Sequence, residues 1–186
     1  MKPAVFLDRD GVLVRSLVVG GKPVAPPTLH QMEIESGARR ALERLKRRGF
    51  LLVVVSNQPD VARGEISPAV IADIGHRLMD ELPLDAVWTC PHDDNDGCAC
   101  RKPKPGMILA AATALDIDLG RSFMVGDRWR DVDAGQAAGC LTVWLDRGYN
   151  ERAPAVSPAA RVSSLEEAVD WILARSAGVE TDESPL

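Results

Sequence analysis

Short apolar runs alternate with helical patterns along this chain, and this alternation constrains the fold more than any other feature. Segments with helical periodicity separate the runs, an order typical of repeated β-α units that form a parallel sheet covered on both faces. Five runs have the length and composition of strands: Ala4–Leu7, Phe50–Val55, Ala86–Thr89, Phe123–Val125 and Leu141–Leu145. The sequence therefore predicts an α/β fold with a doubly wound parallel sheet.

The helical segments carry start and stop signals. Ser67 followed by Pro68 is typical of an N-cap and a first-turn proline, for a helix that runs towards Leu82. Ser164 with Glu167 three residues later predicts a capping box before the last helix. The five predicted helices are Ala38–Arg48, Pro68–Leu82, one that begins at Pro105, Asp131–Ala138 and Leu165–Arg175.

Two segments interrupt the rhythm of strands and helices. Between Val12 and Val24, two runs rich in Val and Leu flank Gly20-Gly21, which predicts a β-hairpin that projects as a flap from the end of the first strand. Between Cys90 and Gly106, a loop dense in Cys, Asp, Pro and basic residues has no periodicity. The elements fill the available length, so we expect no separate cap domain.

Size and charge exclude several classes of protein. With 186 residues, we expect one domain over residues 1–176 and a frayed tail over 177–186. The net charge of −5 provides no broad positive field for nucleic acid. The longest apolar run, Phe50–Val55, is far shorter than the roughly 20 residues that span a bilayer. We expect a cytoplasmic monomer without a signal peptide and without a membrane or nucleic-acid partner.

Polar side chains stand where three of the predicted strands end. Asp8 and Asp10 follow the first strand, and in extended backbone their side chains point the same way. Ser56 ends the second strand, and Asp127 follows the fourth. Each alone is typical of a turn or a helix cap, and Asp131 is interpreted as an N-cap. Because ligands bind at the carboxyl ends of open α/β sheets, the set predicts one site at that edge.

Four soft metal ligands lie close together in the loop after the third strand: Cys90, His92, Cys98 and Cys100. A Cys₃His set suits tetrahedral Zn²⁺, and four protein ligands leave no open position, so this zinc would be structural. It would hold the adjacent Arg101 and Lys102 in place. The alternative is a group of free or oxidised thiols. Cys140 is expected to be a small buried hydrophobe.

Four ordered motifs resemble the haloacid dehalogenase (HAD) superfamily of phosphotransferases over nearly the whole chain. They are Asp8-Arg9-Asp10-Gly11-Val12, Ser56-Asn57-Gln58, Arg101-Lys102-Pro103 and Gly126-Asp127 through Asp131. Three further motifs look like the D-glycero-D-manno-heptose 1,7-bisphosphate phosphatases and their histidinol-phosphatase relatives. These motifs are Ala62-Arg63-Gly64, Cys90-Pro91-His92 and Cys98-Ala99-Cys100.

The resemblance implies a phosphatase that works through an aspartyl phosphate. Asp8 would be the nucleophile, and Asp10 would protonate the leaving group and then activate water. Ser56 and Lys102 would hold the phosphoryl oxygens, with Lys104 as the rival for the lysine role. The implied substrate is a small phosphorylated sugar, first the C7 phosphate of heptose bisphosphate. Histidinol phosphate or another small phosphorylated metabolite is the alternative.

The resemblance also implies a catalytic metal and a set of substrate contacts. Mg²⁺ would be held by the side chains of Asp8 and Asp127 and the backbone carbonyl of Asp10, with Asp131 as an outer ligand. The expected substrate contacts are Asn57, Gln58, Arg63, Arg101 and Arg128. Both cofactors, Mg²⁺ and Zn²⁺, are therefore expected in one chain.

Two hypotheses belong to other functional classes. A receiver-like module phosphorylated on Asp8 for signalling would share the acidic strand end and the lysine, but an acid/base at Asp10 favours turnover. A zinc-ribbon nucleic-acid binder conflicts with the acidic run Asp93–Asp96, which would repel phosphates. The sequence leaves open what Trp129 and the segment Asp146–Arg161 do.

Overall fold

The structure is a computed structural model that describes residues 1–19, 22–24, 26 and 28–177. The strands in these residues are β1 (Ala4–Leu7), β2 (Leu17–Val19), β3 (Lys22–Val24), β4 (Leu51–Asn57), β5 (Ala86–Cys90), β6 (Phe123–Gly126), β7 (Leu141–Leu145) and β8 (Ala160–Val162). Six of them form a parallel sheet in the order β5-β4-β1-β6-β7-β8. The predicted α/β class is confirmed.

Helices cover both faces of the sheet. They are α1 (Ala38–Arg47), α2 (Pro68–Glu81), α3 (Gly106–Leu115), α4 (Trp129–Ala137) and α5 (Leu165–Ala177). In β1, Val5 and Leu7 face a core that includes residues of α1, α2 and α5, whereas Ala4 and Phe6 face a core with residues of α3 and α4. This alternation of apolar side chains along one strand confirms the doubly wound arrangement.

The flap is a two-stranded antiparallel hairpin formed by β2 and β3, in which Leu17 pairs with Val24. The predicted turn residues, Gly20 and Gly21, lie outside the described residues. The predicted tail also lies outside them beyond Ala177. Within the described ranges, no segment forms a cap domain over the sheet.

The strand β8 corrects the sequence analysis, which counted five strands in the sheet. Its three residues pair in parallel with β7 at the edge of the sheet. Only Ala160 and Val162 pack partly against the core, while Arg161 points to solvent and pairs with Asp146. So short a run next to a proline-rich segment has too few apolar residues to give a periodic signal.

Two predicted helix caps differ from the structure. Asp131 was expected to be an N-cap, but α4 begins at Trp129 and Arg128 occupies the cap position. The Asp131 carboxylate instead reaches back to accept a hydrogen bond from the Arg128 N–H at 3.0 Å. Ahead of α5, Ser164 caps the Glu167 N–H as predicted, but the Glu167 carboxylate bonds Ser163 instead of closing the box.

None of the described helices combines the length and the apolar character that a bilayer crossing requires.

The order of the strands positions the site. The first strand, β1, lies between β4 and β6, and Leu7 is in register with Val54 on one side and Val125 on the other. The three strands therefore run side by side to the same edge, where β6 continues one residue and β4 three residues beyond this register. Asp8 continues the pairing by donating its N–H to the Val125 carbonyl at 2.9 Å. Residues that follow these strands must lie side by side at one edge of the sheet.

Candidate active site

A buried lysine connects two of the acidic groups at this edge. The Lys102 Nζ lies 2.7 Å from Asp8 Oδ1 and 2.6 Å from Asp131 Oδ1, and it donates to the Val55 carbonyl at 2.7 Å. Burial alone would lower the pKa of Lys102, but the carboxylates of Asp131 and Asp8 outweigh burial and raise it. The ammonium group therefore stays charged in a water-excluded position.

The backbone of Lys102 is fastened to the end of β4 by Asn57. The Asn57 side chain donates to the Lys102 carbonyl at 2.9 Å and accepts from the Lys102 N–H at 3.0 Å. Its amide was expected to contact substrate, but both of these polar groups are engaged with the protein. The rival, Lys104, bonds the carbonyls of Gly97 and Cys98. Of the two lysines, the structure brings Lys102 to Asp8.

Three buried carboxylates form the floor of the site. One oxygen from each of Asp8, Asp127 and Asp131 lies within 4.8 Å of the others. Among the described residues, neither oxygen of Asp127 has a hydrogen-bond partner of good geometry, although the Tyr149 hydroxyl lies close enough to lower its pKa. Burial and the charges of Asp8 and Asp131 raise the pKa of Asp127 well above its ordinary value. Crowded, unpartnered carboxylate oxygens are the hard donors that a divalent cation takes as ligands.

Glycine is required where two loops pass this cluster. Gly11 has φ +85°, and a Cβ there would lie 1.8 Å from Asp127 Oδ2. A Cβ on Gly126 would lie 2.1 Å from the Asp131 Cβ. Any larger residue would displace the carboxylates. The close approach of these atoms therefore requires glycine both after Asp10 and before Asp127.

The second acid, Asp10, is held from two sides. The almost fully buried Arg9 places its Nε 3.0 Å and its Nη2 2.9 Å from the Asp10 carboxylate. Gln58 donates to Asp10 Oδ2 at 2.8 Å and to Ser56 Oγ at 2.8 Å. Gln58, a predicted substrate contact, lines the cavity, and its amide nitrogen also orients Asp10 and Ser56. Sequence reasoning missed Arg9, since a charged residue in a turn gives no sign that it turns inward.

The cysteine and histidine side chains of the loop after β5 come together as expected. The Cys90 sulfur lies 3.7 Å from that of Cys98 and 3.1 Å from that of Cys100, and the His92 Nδ1 is 3.3 Å from the Cys100 sulfur. A tetrahedral zinc with Zn–S bonds of about 2.3 Å has S···S edges of about 3.8 Å. The group could therefore hold a metal ion, and its donors fit zinc. Cys140 lies apart from it, buried in the apolar core with α3 and α4.

Above the carboxylates lies a cavity of about 610 Å³. Ser16 and Val24 of the flap region contribute to its wall. We call its deep part the inner end, formed by Asp8, Asp10, Lys102 and Asp131 together with Asp127, which lies against Asp8 and Asp131. We call its outer part the rim, formed by Arg63, Asp94, Arg101 and Arg130 together with Asp93, which pairs with Arg63.

The rim is a network of ion pairs. Asp94 accepts from Arg101 Nε at 2.8 Å and from Arg130 Nη1 at 2.9 Å. Asp93 accepts from Arg63 Nε at 2.8 Å, and this hydrogen bond is the main cause that lowers the pKa of Asp93 to about 2. Both predicted substrate contacts, Arg63 and Arg101, thus reach the cavity already paired. Arg130 was missed, since nothing in its sequence surroundings distinguishes it.

Two further residues of the fourth motif are also engaged with the protein. Arg128, an expected substrate contact, pairs with the Glu151 carboxylate, and both side chains line the cavity. Trp129 is packed between two guanidinium groups, with the Cζ atoms of Arg130 and Arg152 at 4.7 and 3.4 Å from the ring centroid. The role of Trp129 left open above is therefore local packing.

Comparisons with known proteins identify relatives that cover most of the chain. The HAD-hydrolase-like family model matches residues 99–168. The D-glycero-beta-D-manno-heptose-1,7-bisphosphate 7-phosphatase of Escherichia coli K12 is 36% identical over 186 residues, covering 92% of this chain and 88% of the relative. The same-named protein of Vibrio cholerae is 39% identical, covering 78% and 82%.

A solved structure is similar along most of the chain. The D,D-heptose 1,7-bisphosphate phosphatase from B. bronchiseptica, crystallised with magnesium and phosphate, has 28% sequence identity and a TM-score of 0.74. The similarity covers 93% of this chain and 99% of that one. Fold and site together define a hydrolase of the HAD class. Within that class, the chain belongs to the family of D-glycero-D-manno-heptose-1,7-bisphosphate 7-phosphatases.

Proposed function

We propose that this protein removes the C7 phosphate of D-glycero-D-manno-heptose 1,7-bisphosphate through an aspartyl phosphate on Asp8. The observation that carries the proposal is the buried contact between Lys102 and Asp8, with Asp10 on the same cavity wall. A carboxylate nucleophile, an acid/base two residues later and a fixed cation are the parts that phosphoryl transfer requires. The names of the relatives support the choice of substrate.

The chain's own residues account for both chemical steps. An Asp8 oxygen attacks phosphorus, the bond from phosphorus to the C7 oxygen breaks, and the Asp10 carboxyl donates its proton to that oxygen. Water then attacks the same phosphorus, Asp10 takes its proton, and the bond to Asp8 breaks to release phosphate. In this mechanism the Lys102 ammonium and the Ser56 hydroxyl hold the phosphoryl oxygens during both steps.

A magnesium ion fits the inner end. The proposed ligands are the side chains of Asp8 and Asp127 and the backbone carbonyl of Asp10, with Asp131 outside them. The partnerless oxygens of Asp127 support this assignment, and so does the magnesium bound in the similar B. bronchiseptica enzyme. When bound, Mg²⁺ offsets the repulsion between the carboxylates and the incoming phosphate.

A structural zinc fits the second group, with Cys90, His92, Cys98 and Cys100 as its ligands. Its proposed role is to hold the loop that carries Arg101 and Lys102, which directly follow Cys100. Zinc would thereby support the inner end and the rim together.

The substrate is tested by a turnover screen with Mg²⁺. We expect phosphate release from heptose 1,7-bisphosphate to exceed that from fructose 1,6-bisphosphate and histidinol phosphate, with the C1 phosphate retained in the product as seen by ³¹P NMR. A higher kcat/KM on histidinol phosphate would overturn the assignment of substrate but not that of the reaction class.

The nucleophile is tested by trapping labelled phosphate on the protein. Asp8→Asn should abolish turnover and labelling. Asp10→Asn should retain Mg²⁺ binding, because only its backbone carbonyl would contact the metal. It should accumulate acid-stable label from a labelled aryl phosphate, whose leaving group needs no proton, because hydrolysis of the phosphoenzyme still requires Asp10. Multiple turnovers by Asp8→Asn would contradict the mechanism.

A further inference from the structure

In the segment that follows β7, every second side chain contacts the site. We call residues 146–152 the return segment. Its side chains at Arg147, Tyr149 and Glu151 each meet a different part of the site. The sequence analysis left this segment open, and none of its residues belongs to the four motifs. Its position therefore raises the question of what it contributes to the reaction.

Arg147 grips the turn that carries Asp10. Its Nε and Nη2 donate to the Gly11 carbonyl at 3.0 and 2.8 Å, and Nη2 also donates to Glu35 at 2.8 Å. Two hydrogen bonds from one planar guanidinium fix a carbonyl in direction as well as in distance. The pairing with Glu35 in turn fixes the guanidinium.

The turn's own hydrogen bonds leave this carbonyl free for Arg147. Leu13 and Val14 both donate to the Arg9 carbonyl at 2.9 Å, and Gly11 donates to Val14. These bonds set the internal shape of the turn. Arg147 comes from beyond β7 and sets where the turn lies relative to the sheet. Since Gly11 is in tight contact with Asp127, a shifted turn would change the distance between Asp10 and the carboxylate floor.

The other two residues of the return segment contact the fourth motif. The Tyr149 hydroxyl lies beside Gly11, and burial followed by the charge of Asp127 raises its pKa. Glu151 holds Arg128 at the wall of the cavity. The return segment therefore joins the loop after β1 to the loop after β6, which are the two loops that carry the proposed acid/base and the proposed metal ligand.

We propose that Arg147 is a positioning residue. By holding the Gly11 carbonyl, it keeps Asp10 in position for proton transfer. The inference rests on the proposed function, in which Asp10 protonates the leaving group and later activates water. A displacement of about 1 Å at a reacting group can cost on the order of 100-fold in rate. Loss of Arg147 should therefore slow the steps that use Asp10 and spare substrate binding.

Leaving-group dependence distinguishes this role from a general loss of structure. An alkyl phosphate needs a proton from Asp10 when the phosphoenzyme forms, whereas an aryl phosphate expels a stable phenolate without it. Hydrolysis of the phosphoenzyme needs Asp10 in both cases. A variant with a displaced Asp10 should therefore release phenolate in a fast burst and then turn over slowly.

The experiment compares Arg147→Met with Arg161→Met by rapid quench on heptose bisphosphate and on an aryl phosphate, with Mg²⁺ present. For Arg147→Met we expect kcat on the bisphosphate to fall about 10- to 100-fold, KM to stay within about threefold, and a phenolate burst near one equivalent per active enzyme. Arg161 lies near the return segment and pairs with Asp146 at the surface, so its variant should stay within about twofold of wild type.

Several outcomes would overturn the inference. One is that Arg147→Met has the same kcat as the wild-type enzyme. Another is that its burst rate and its steady-state rate are lowered by the same factor. If Arg147→Met does not fold, Arg147→Lys, which keeps one donor, must show the same burst followed by a milder steady-state defect. A wild-type enzyme that forms no phosphoenzyme from any ester would overturn the proposed function and this inference together.

Discussion

The inner end of the cavity and its rim are both built from charged side chains, but their exposure to water differs. At the inner end, Lys102 and Asp131 each expose 2% of the side chain, whereas at the rim Asp94 exposes 53% and Arg63 exposes 43%. Arg101 is the most buried residue of the rim, with 11% of its side chain exposed. Electrostatic interactions between buried charges are strong, while exposed pairs contribute about 0–1 kcal/mol. The inner end is therefore suited to stabilise charge during the reaction, and the rim is suited to adjust to a substrate.

The two regions also differ in what their cations already bind. Lys102 contacts Asp8 and Asp131, the groups at which the phosphoryl group would react. At the rim, a second phosphate must compete with Asp93 and Asp94 for the arginines. Where these ion pairs are exposed to water, little free energy is lost when an arginine leaves its carboxylate for a phosphate. The comparison predicts large effects on kcat from the inner end and smaller, selective effects on KM from the rim.

The largest expected effect is that of Lys102→Ala. Removing the buried ammonium should lower kcat about 10²- to 10³-fold on heptose bisphosphate and on a generic aryl phosphate alike, because both transfer the same phosphoryl group. Steady-state kinetics on the two substrates measures it. Lys104→Ala is the matched control and should change kcat far less. A loss of kcat confined to heptose bisphosphate would mean that Lys102 acts on substrate specificity, like a residue of the rim, and would contradict the comparison.

Loss of zinc should affect both regions at once. We expect about one tightly held zinc per chain by elemental analysis, and its loss from a Cys98→Ser/Cys100→Ser variant. Since Arg101 and Lys102 directly follow Cys100, this variant should show a lower kcat together with a higher KM. Cys140→Ser, outside the group, should keep its zinc. Less than about half an equivalent in fresh wild-type protein, or unchanged zinc in the double variant, would contradict the site.

Acidification should weaken Mg²⁺ binding at the inner end and leave the side chains of the rim charged. Without metal, burial raises the pKa of Asp131 to about 6 against the opposing effect of Lys102, and the pKa of Asp127 is also raised. A cation must displace these protons, so affinity rises with pH. For one carboxyl with a pKa near 6, the Kd for Mg²⁺ should rise about tenfold from pH 7 to pH 5. Calorimetry measures it, and a pH-independent Kd would argue against metal binding at these carboxylates.

The smallest effect is expected for Arg101→Ala at the rim. The KM for heptose bisphosphate should rise about three- to tenfold, since one charge-assisted bond to the substrate is lost while Arg63 and Arg130 remain at the cavity. An aryl phosphate has nothing for Arg101 to bind, so its KM should stay the same. Equal proportional losses on both substrates would mean that Arg101 serves the reacting phosphate and that specificity lies elsewhere.

The sequence predicted that the residues of the inner end lie together, and the structure brings them together. The signals of these residues are local. A strand followed directly by an acid, as at Asp8, needs only the rule that parallel strands end at one edge. The loop after β5 can be recognised in the sequence because its four candidate metal ligands lie within a short stretch. The third motif likewise distinguished Lys102 from Lys104 by resemblance alone. Backbone periodicity and residue type carry such information without knowledge of distant contacts.

The rim and the return segment were beyond the reach of that reasoning. Asn57 and Gln58 line the cavity, where they remain predicted substrate contacts, but each also bonds a protein partner that lies more than 40 positions away in the sequence. The Arg130–Asp94 pair spans 36 positions, and the Arg147–Gly11 contact spans 136. A charged side chain gives the same local pattern whether it binds solvent, substrate or another residue.

By itself, then, the sequence determined the parallel sheet and placed the proposed catalytic groups at the ends of its strands. These follow from apolar periodicity, which sets secondary structure, and from the geometry of strand ends. Only the tertiary structure decided which arginines are already paired and that Arg147 reaches the turn after Asp10. Ion-pair partners are chosen by packing between elements far apart in the chain, and no local pattern encodes that choice.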